Sequence, residues 1–403
     1  MINRRAFTLG LGSALLGAAA HAEGVPALTA PAQQPPPPPP AAPATADGPQ
    51  PLPKEFAIDP KLLEQAEKAK NRKKPDMSDI PIEQIPNHRQ MMRDIIAELA
   101  KFARKTKPDF QILVRNAPEL LIKGRREWVW ESLRNPDAAD AGKLLPEGGL
   151  IRSFLRVIDG LVIDGAYCGM EAYGKPTNPD LSAPILAAGA LLKREGRQVL
   201  TVDYTQNKDQ IAAIRAQAKK AGFVSYIAST GDKMLDRVPK GAPPQENTDP
   251  IQTLDKARNW FDVQRPGSYG SHADWIAAIR DNNYDVIATD VFWRNNDAMT
   301  IQEAKPLLQK QIGSRRLVLA DMSIGKAFDT RFYWKADWDL GNPPFLVDRD
   351  HDDPSAMLVE YWNDDWKKIL GQYIKGIMTY NLDGVIFSDV DAYGHFEDML
   401  PLE

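Results

Sequence analysis

The run Asp383 to Tyr393, DGVIFSDVDAY, sets an apolar stretch (Val385, Ile386, Phe387) against carboxylates at Asp389 and Asp391 and an aromatic at Tyr393. Carboxyl groups move protons and stabilise a developing positive charge, while a flat aromatic face packs on a pyranose ring. Together they suit work on glycosidic bonds. The pattern recurs along the chain. Asp164 follows Val157–Ile163, Asp203 and Tyr204 close VLTVDY, Asp290 precedes Phe292 and Trp293, and Arg115-Asn116 closes ILVRN. Ser323 and Gly325 follow LVLADM. A single Asp at a strand end is most often a helix cap or the partner of an Arg. Five strands ending in acids with aromatic neighbours point instead to one shared polar cleft, because parallel α/β folds gather function at the carboxyl ends of their strands.

These residues need elements to hold them. Apolar runs at Phe110–Arg115, Val157–Ile163, Val199–Asp203, Val224–Ile227, Asn259–Phe261, Tyr284–Asp290, Leu317–Met322 and Leu382–Phe387 read as strands. Amphipathic stretches lie between them, such as Met91–Ala103, Ala212–Ala221 and Tyr361–Tyr380. Eight strands alternating with helices predict an α/β fold, a (β/α)8 TIM barrel over residues 84–403, with a doubly wound open sheet as the alternative. No GxGxxG opens a helix after the first strand, which argues against dinucleotide binding.

Before this domain the chain changes character. Residues 1–22 carry Arg4 and Arg5, a short apolar run and Ala20-His21-Ala22, the pattern of a twin-arginine-like export signal. That reading implies a periplasmic or extracellular protein with no integral membrane segment after cleavage. Residues 23–58 are Ala/Pro-rich, with six consecutive prolines from Pro35 to Pro40, and read as an extended linker. Residues 59–83 begin at Asp59-Pro60 and form a short basic helical arm. Loss of the two signal arginines takes the formal charge from −4 to −6, a poor balance for nucleic acid. Cys168 is the only cysteine, so no internal disulfide and no Cys-based metal site is expected. With five scattered His, neither a metal nor a cofactor is anticipated. Cys168 itself reads as a buried, inert thiol, since no His lies near it in sequence.

The segments also resemble a family. ADMSIGKAFDTRFYW (Ala320–Trp334) and Glu360–Tyr393 are similar to two segments of the endo-α-1,4-polygalactosaminidase-like glycoside hydrolases (family 114 and relatives). ARNWFDVQ and YDVIATD resemble that family's first two strands, QILVRNAPELL and VIDGLVIDGAYCG its fifth and sixth, and VLTVDYT and GFVSYIAS its last two. The likeness runs from about Met91 to Tyr393, in a changed order: family strands five to eight come first here, and one to four follow. The resemblance therefore implies a circularly permuted barrel, cut after DVDAY, with residues 54–90 emerging near the mouth of the site.

The resemblance further implies a polysaccharide substrate and two carboxylates. Ser388 occupies the position of one family acid, with Asp389 next to it and Asp391 on the family's second Asp. Asp164 occupies the position of the family Glu, with Glu171 in the following loop. One step along a strand reverses a side chain, so Asp389 replaces the acid only if a bulge re-aims it. The catalytic pair is expected among Asp164, Asp389, Asp391 and Glu171. Substrate contacts are expected from Asn116, Tyr167, Asp203, Tyr204, Asp290, Trp293, Arg331, Ser388 and Tyr393. Lys326 stands where the family has an acid, which favours a neutral or anionic glycan over a cationic one. Trp128, Trp130 and His395 are further candidates for an outer sugar platform or site edge. Three readings stay open: a hydrolase with a shifted acid pair, a non-catalytic polysaccharide-binding barrel, and a barrel enzyme of another class.

Overall fold

The computed structural model describes residues 80–229, 234–400 and 402. The export signal, the Pro-rich linker and nearly all of the basic arm lie outside the described residues.

Seven strands come first: β1 (Gln111–Arg115), β2 (Gly160–Asp164), β3 (Gln198–Tyr204), β4 (Val224–Ala228), β5 (Trp260–Val263), β6 (Val286–Thr289) and β7 (Leu317–Ser323). Three short strands follow, β8 (Lys326–Phe328), β9 (Leu346–Arg349) and β10 (Ala356–Val359), and β11 (Gly384–Ser388) is last. β1–β7 and β11 form one parallel sheet in the order β4-β3-β2-β1-β11-β7-β6-β5. Its end strands come together, and the Trp260 indole on β5 donates to the Val224 carbonyl on β4 at 3.0 Å. The result is a nearly closed eight-stranded parallel barrel with flanking helices. All eight strands expected from the sequence form it. Their apolar runs are continuous because such strands are covered on both faces. Register is tight where β1 meets β11: a Cβ on Gly384 would lie 2.3 Å from the Gln111 carbonyl.

Helices α1 (His88–Thr106), α2 (Arg125–Arg134), α3 (Pro179–Arg194), α4 (Lys208–Ala221), α5 (His272–Arg280), α6 (Ile301–Leu307), α7 (Asp364–Thr379) and α8 (Tyr393–Met399) flank the sheet. α1 buries Met92, Ile95, Ile96 and Leu99, three and four residues apart, and Asn87 caps it by accepting from the Gln90 amide. α7 does the same with Trp366, Leu370, Tyr373, Ile374 and Ile377 behind an Asn363 cap. β8, β9 and β10 make a small antiparallel sheet, in the order β8-β10-β9, inside the long connection between β7 and β11.

The amino ends of the strands are pinned by acids. Asp159, just before β2, accepts from the Ile112 amide at 2.7 Å and pairs with Arg104 at 2.6 Å. Asp285, before β6, accepts from the Arg258 amide at 2.8 Å and pairs with Lys310 at 2.6 Å, both side chains fully buried. Asp383, before β11, accepts from the Val318 amide at 2.9 Å and pairs with Arg315 at 2.5 Å.

Candidate active site

A cleft of about 690 Å3 opens at the carboxyl ends of the strands. Of the residues expected there, Asn116, Asp164, Asp290, Trp293, Arg331, Ser388, Asp389 and Asp391 line it.

Arg115, the last residue of β1, organises the floor. Its guanidinium meets Asp164 Oδ1 at 2.8 Å, hydrogen-bonds Asp262 Oδ2, and lies 3.4 Å from Asp321 Oδ2. Three acids from β2, β5 and β7 thus share one cation. Asn116, held at φ 54°, donates to Asp164 Oδ2 at 3.0 Å and accepts from the Asp164 amide at 2.9 Å. Asp164 is therefore fixed from two sides with its remaining surface toward the cleft. Burial pushes Asp262 up to about 6 and Asp321 up to about 7, with Arg115 working against the shift in both. Desolvation is the larger cause, and one guanidinium among three carboxylates does not offset it.

On β11, the strand beside β1, Ser388 lines the cleft and donates to Asp321 Oδ2 at 2.7 Å. Asp389 lines the cleft beside it, although neighbours on a strand point to opposite faces. The device that re-aims it is a left-handed residue, since Asp389 sits at φ 55°, ψ 28° as β11 ends. Gly325 makes room: a Cβ there would lie 1.9 Å from the Asp389 carbonyl oxygen. Lys326 bridges Asp389 Oδ1 at 3.2 Å and Asp350 Oδ2 at 2.6 Å. Burial would lower the Lys326 ammonium, but the two carboxylates outweigh it and raise it. Asp391 is open to solvent yet crowded by protein around its carboxyl. Burial first, then the Asp389 charge, raise it to about 6.

Asp290 accepts from Arg331 at 2.5 Å and from the Phe292 amide at 3.0 Å. Arg331 also lies over the Phe292 ring at 5.2 Å, so this wall combines a cation with an aromatic. Trp293 is engaged already: Arg294 stands 4.2 Å from its ring centroid and His272 stacks on it at 6.0 Å.

Other expectations are corrected. Asp203 is fully buried and caps a turn, accepting from the Tyr167 and Cys168 amides at 2.7 and 2.8 Å. Tyr167 packs against the core, and burial with the Asp203 charge pushes its phenol up to about 12. Tyr204 is buried under Gly169. Tyr393 is buried beneath Arg89 and donates to Glu119 at 3.2 Å. Glu171 is exposed and pairs with Lys175 at 3.1 Å. None of the five lines the cleft, because burial of the aromatic bodies and local turn bonding use them up. Cys168 is buried, with its thiol pushed up by burial. Trp130 donates to the Ile85 carbonyl at 2.7 Å, Trp128 packs under Arg125, and His395 lies 3.9 Å from Asp348. Residues 80–90 do not line the cleft, and 54–79 lie outside the described residues.

Sequence reasoning passed over Asp321, Asp262, Gln264 and Asp350. The one signal for Asp321 was a lone carboxylate inside LVLADM, an otherwise apolar strand.

No family model matches the chain. It is 31% identical over 124 residues to an uncharacterized protein of Methanocaldococcus jannaschii, covering 30% of this chain and 35% of that protein. Over 78 residues it is 31% identical to an uncharacterized protein of Thermotoga maritima, covering 19% and 24%. Over 118 residues it is 26% identical to one of Deinococcus radiodurans, covering 29% and 37%. The chain thus spans between about a quarter and little more than a third of the length of these relatives. Among the described residues no helix is long and apolar enough to cross a membrane.

Proposed function

We propose that this chain is an exported, circularly permuted barrel of the glycoside hydrolase kind, acting on a polysaccharide in the cleft by a two-carboxylate mechanism. The observation that carries this reading is Asp164, fixed by Arg115 and Asn116, in one cleft with Ser388, Asp389 and Asp391 from the next strand but one. One carboxylate stabilises or attacks the oxocarbenium-like centre, and a second group across the cleft protonates the leaving oxygen. Asp164 suits the first role, because its geometry is set before any substrate arrives. Arg331 over Phe292 supplies a polar and apolar wall for sugar hydroxyls and ring faces.

The strand order supports the permutation. The seam without a backbone ladder lies between β4 and β5, the strands resembling the family's last and first. Lys326 is neutralised by Asp350 and Asp389, so it offers little to an anion. A neutral glycan is the substrate class that fits.

The test is reducing-end release by the purified chain from neutral, amino and acidic polysaccharides, with Asp164→Asn beside it. Release is expected from a neutral polymer, with a loss of about 1,000-fold in the variant. Binding of a polymer with no cleavage by either protein would make this a polysaccharide-binding barrel instead.

A further inference from the structure

We propose that Asp321, on β7, is the proton donor of this cleft, taking over from the neighbouring strand the position at which Ser388 leaves β11 without an acid. The proposal rests on the hydrolase reading above. β7 and β11 run in register, with Ile386 opposite Asp321 and Ser388 opposite Ser323. From there the Asp321 carboxyl reaches Ser388 Oγ at 2.7 Å. It lines the cleft, so a glycosidic oxygen has access to it. It also shares the Arg115 guanidinium with Asp164. Two carboxylates holding one guanidinium lie within roughly 9 Å of each other, no farther apart than the carboxyl pairs that glycosidases use.

The rival acids are less suited. Asp389 is engaged by Lys326, which also binds Asp350 and stands between this carboxylate and an incoming leaving group. Asp391 lies beyond the strand end in a 3-10 turn and makes no ion pair with Arg115. Asp321, by contrast, is surrounded by groups that favour its neutral form on balance. Arg115 from β1 and the Ser388 hydroxyl from β11 oppose burial and the charges of Asp262 on β5 and Asp290 just after β6. Tyr373 from α7 faces the same cluster as a neutral phenol.

The step balances simply. The bond between the anomeric carbon and the leaving oxygen breaks, its electron pair goes to that oxygen, and the oxygen takes the Asp321 proton. Asp321 is left as a carboxylate. Water adds at the anomeric carbon, and the proton it loses restores the acid. One water is consumed and two hydroxyl ends are formed.

The experiment is a pH series of reducing-end release by the full chain on the same three polymer classes. Wild type, Asp321→Asn, Asp391→Asn and the exchange Asp321→Ser with Ser388→Asp are compared, together with a 13C NMR titration of Asp carboxyls in wild type. Expected are a loss of at least about 100-fold in kcat for Asp321→Asn, disappearance of its alkaline limb, and recovery of activity in the exchange variant. Asp391→Asn keeps the limb. The Asp321 carboxyl titrates near neutral pH, a readout that stands even where Asp321→Asn fails to fold. If Asp321→Asn keeps the wild-type rate and limb while Asp164→Asn is inactive, the donor is another group and the hydrolase reading stands. An Asp321 that titrates in the ordinary carboxylate range overturns the proposal whatever the substrate. If wild type cleaves no polymer, the hydrolase reading falls and the proposal falls with it.

Discussion

At the amino ends of the barrel strands, Asp159, Asp285 and Asp383 each have a backbone amide in or just before the neighbouring strand and a cation of their own. At the carboxyl ends, Asp164, Asp262 and Asp321 share the single guanidinium of Arg115. The residue types are the same and the barrel is the same, so the difference is one of charge balance. A matched acid has its desolvation compensated by a partner and a backbone donor, and it locks one strand to the next. Acids that outnumber their cation keep part of that electrostatic strain, and one of them remains protonated at higher pH. The first arrangement serves stability. The second holds groups ready for proton transfer, which is how active sites come to contain perturbed carboxyls.

The contrast can be broken most severely at the matched end. Lys310→Met leaves Asp285 buried and uncompensated, with an expected loss of about 3–5 kcal/mol. Urea unfolding measures it, and activity per folded molecule should hold. A loss of activity without a loss of stability would mean that the two ends are not separable in this way.

Gly325→Ala tests the other end through its backbone. The new Cβ would collide with the Asp389 carbonyl, so β8 or the left-handed turn must move. The expected cost is about 1–3 kcal/mol, accompanied by a fall in cleft activity. Unchanged activity would show that the placement of Asp389 does not matter to the site.

The finest test is the pH dependence of stability. Asp321 holds its proton up to about 7 in the folded chain, well above an unfolded aspartate. Between these two pH values the folded state binds more protons than the unfolded one, so stability falls as pH rises from about 4 to about 7. Asp321→Asn should flatten that fall without abolishing it, since burial also raises Asp203 to about 7 and Asp262 to about 6. An identical slope in the variant would place the surplus proton elsewhere.

Much of the site was legible because strand ends are legible. Asn116, Asp164, Asp290, Ser388, Asp389 and Asp391 each follow an apolar run, and each lines the cleft. The same logic failed at Tyr167, Asp203, Tyr204 and Tyr393. A polar residue at a strand end turns inward or outward according to the next few backbone angles, which local pattern does not encode. Asp203 turns in to cap Tyr167 and Cys168. Asp389 turns toward the cleft only because its own φ is positive and Gly325 leaves space.

What the chain's one-dimensional pattern determined was the set of strands, their parallel sense and the end at which polar groups collect, because continuous apolar runs alternating with amphipathic helices admit few other folds. The tertiary structure alone decided who shares a charge with whom. Arg115 meets Asp262 and Asp321 across 147 and 206 residues of chain, and Ser388 meets Asp321 across 67. A carboxyl's proton affinity depends on such neighbours and on burial, and both exist only once the barrel has brought distant strands side by side.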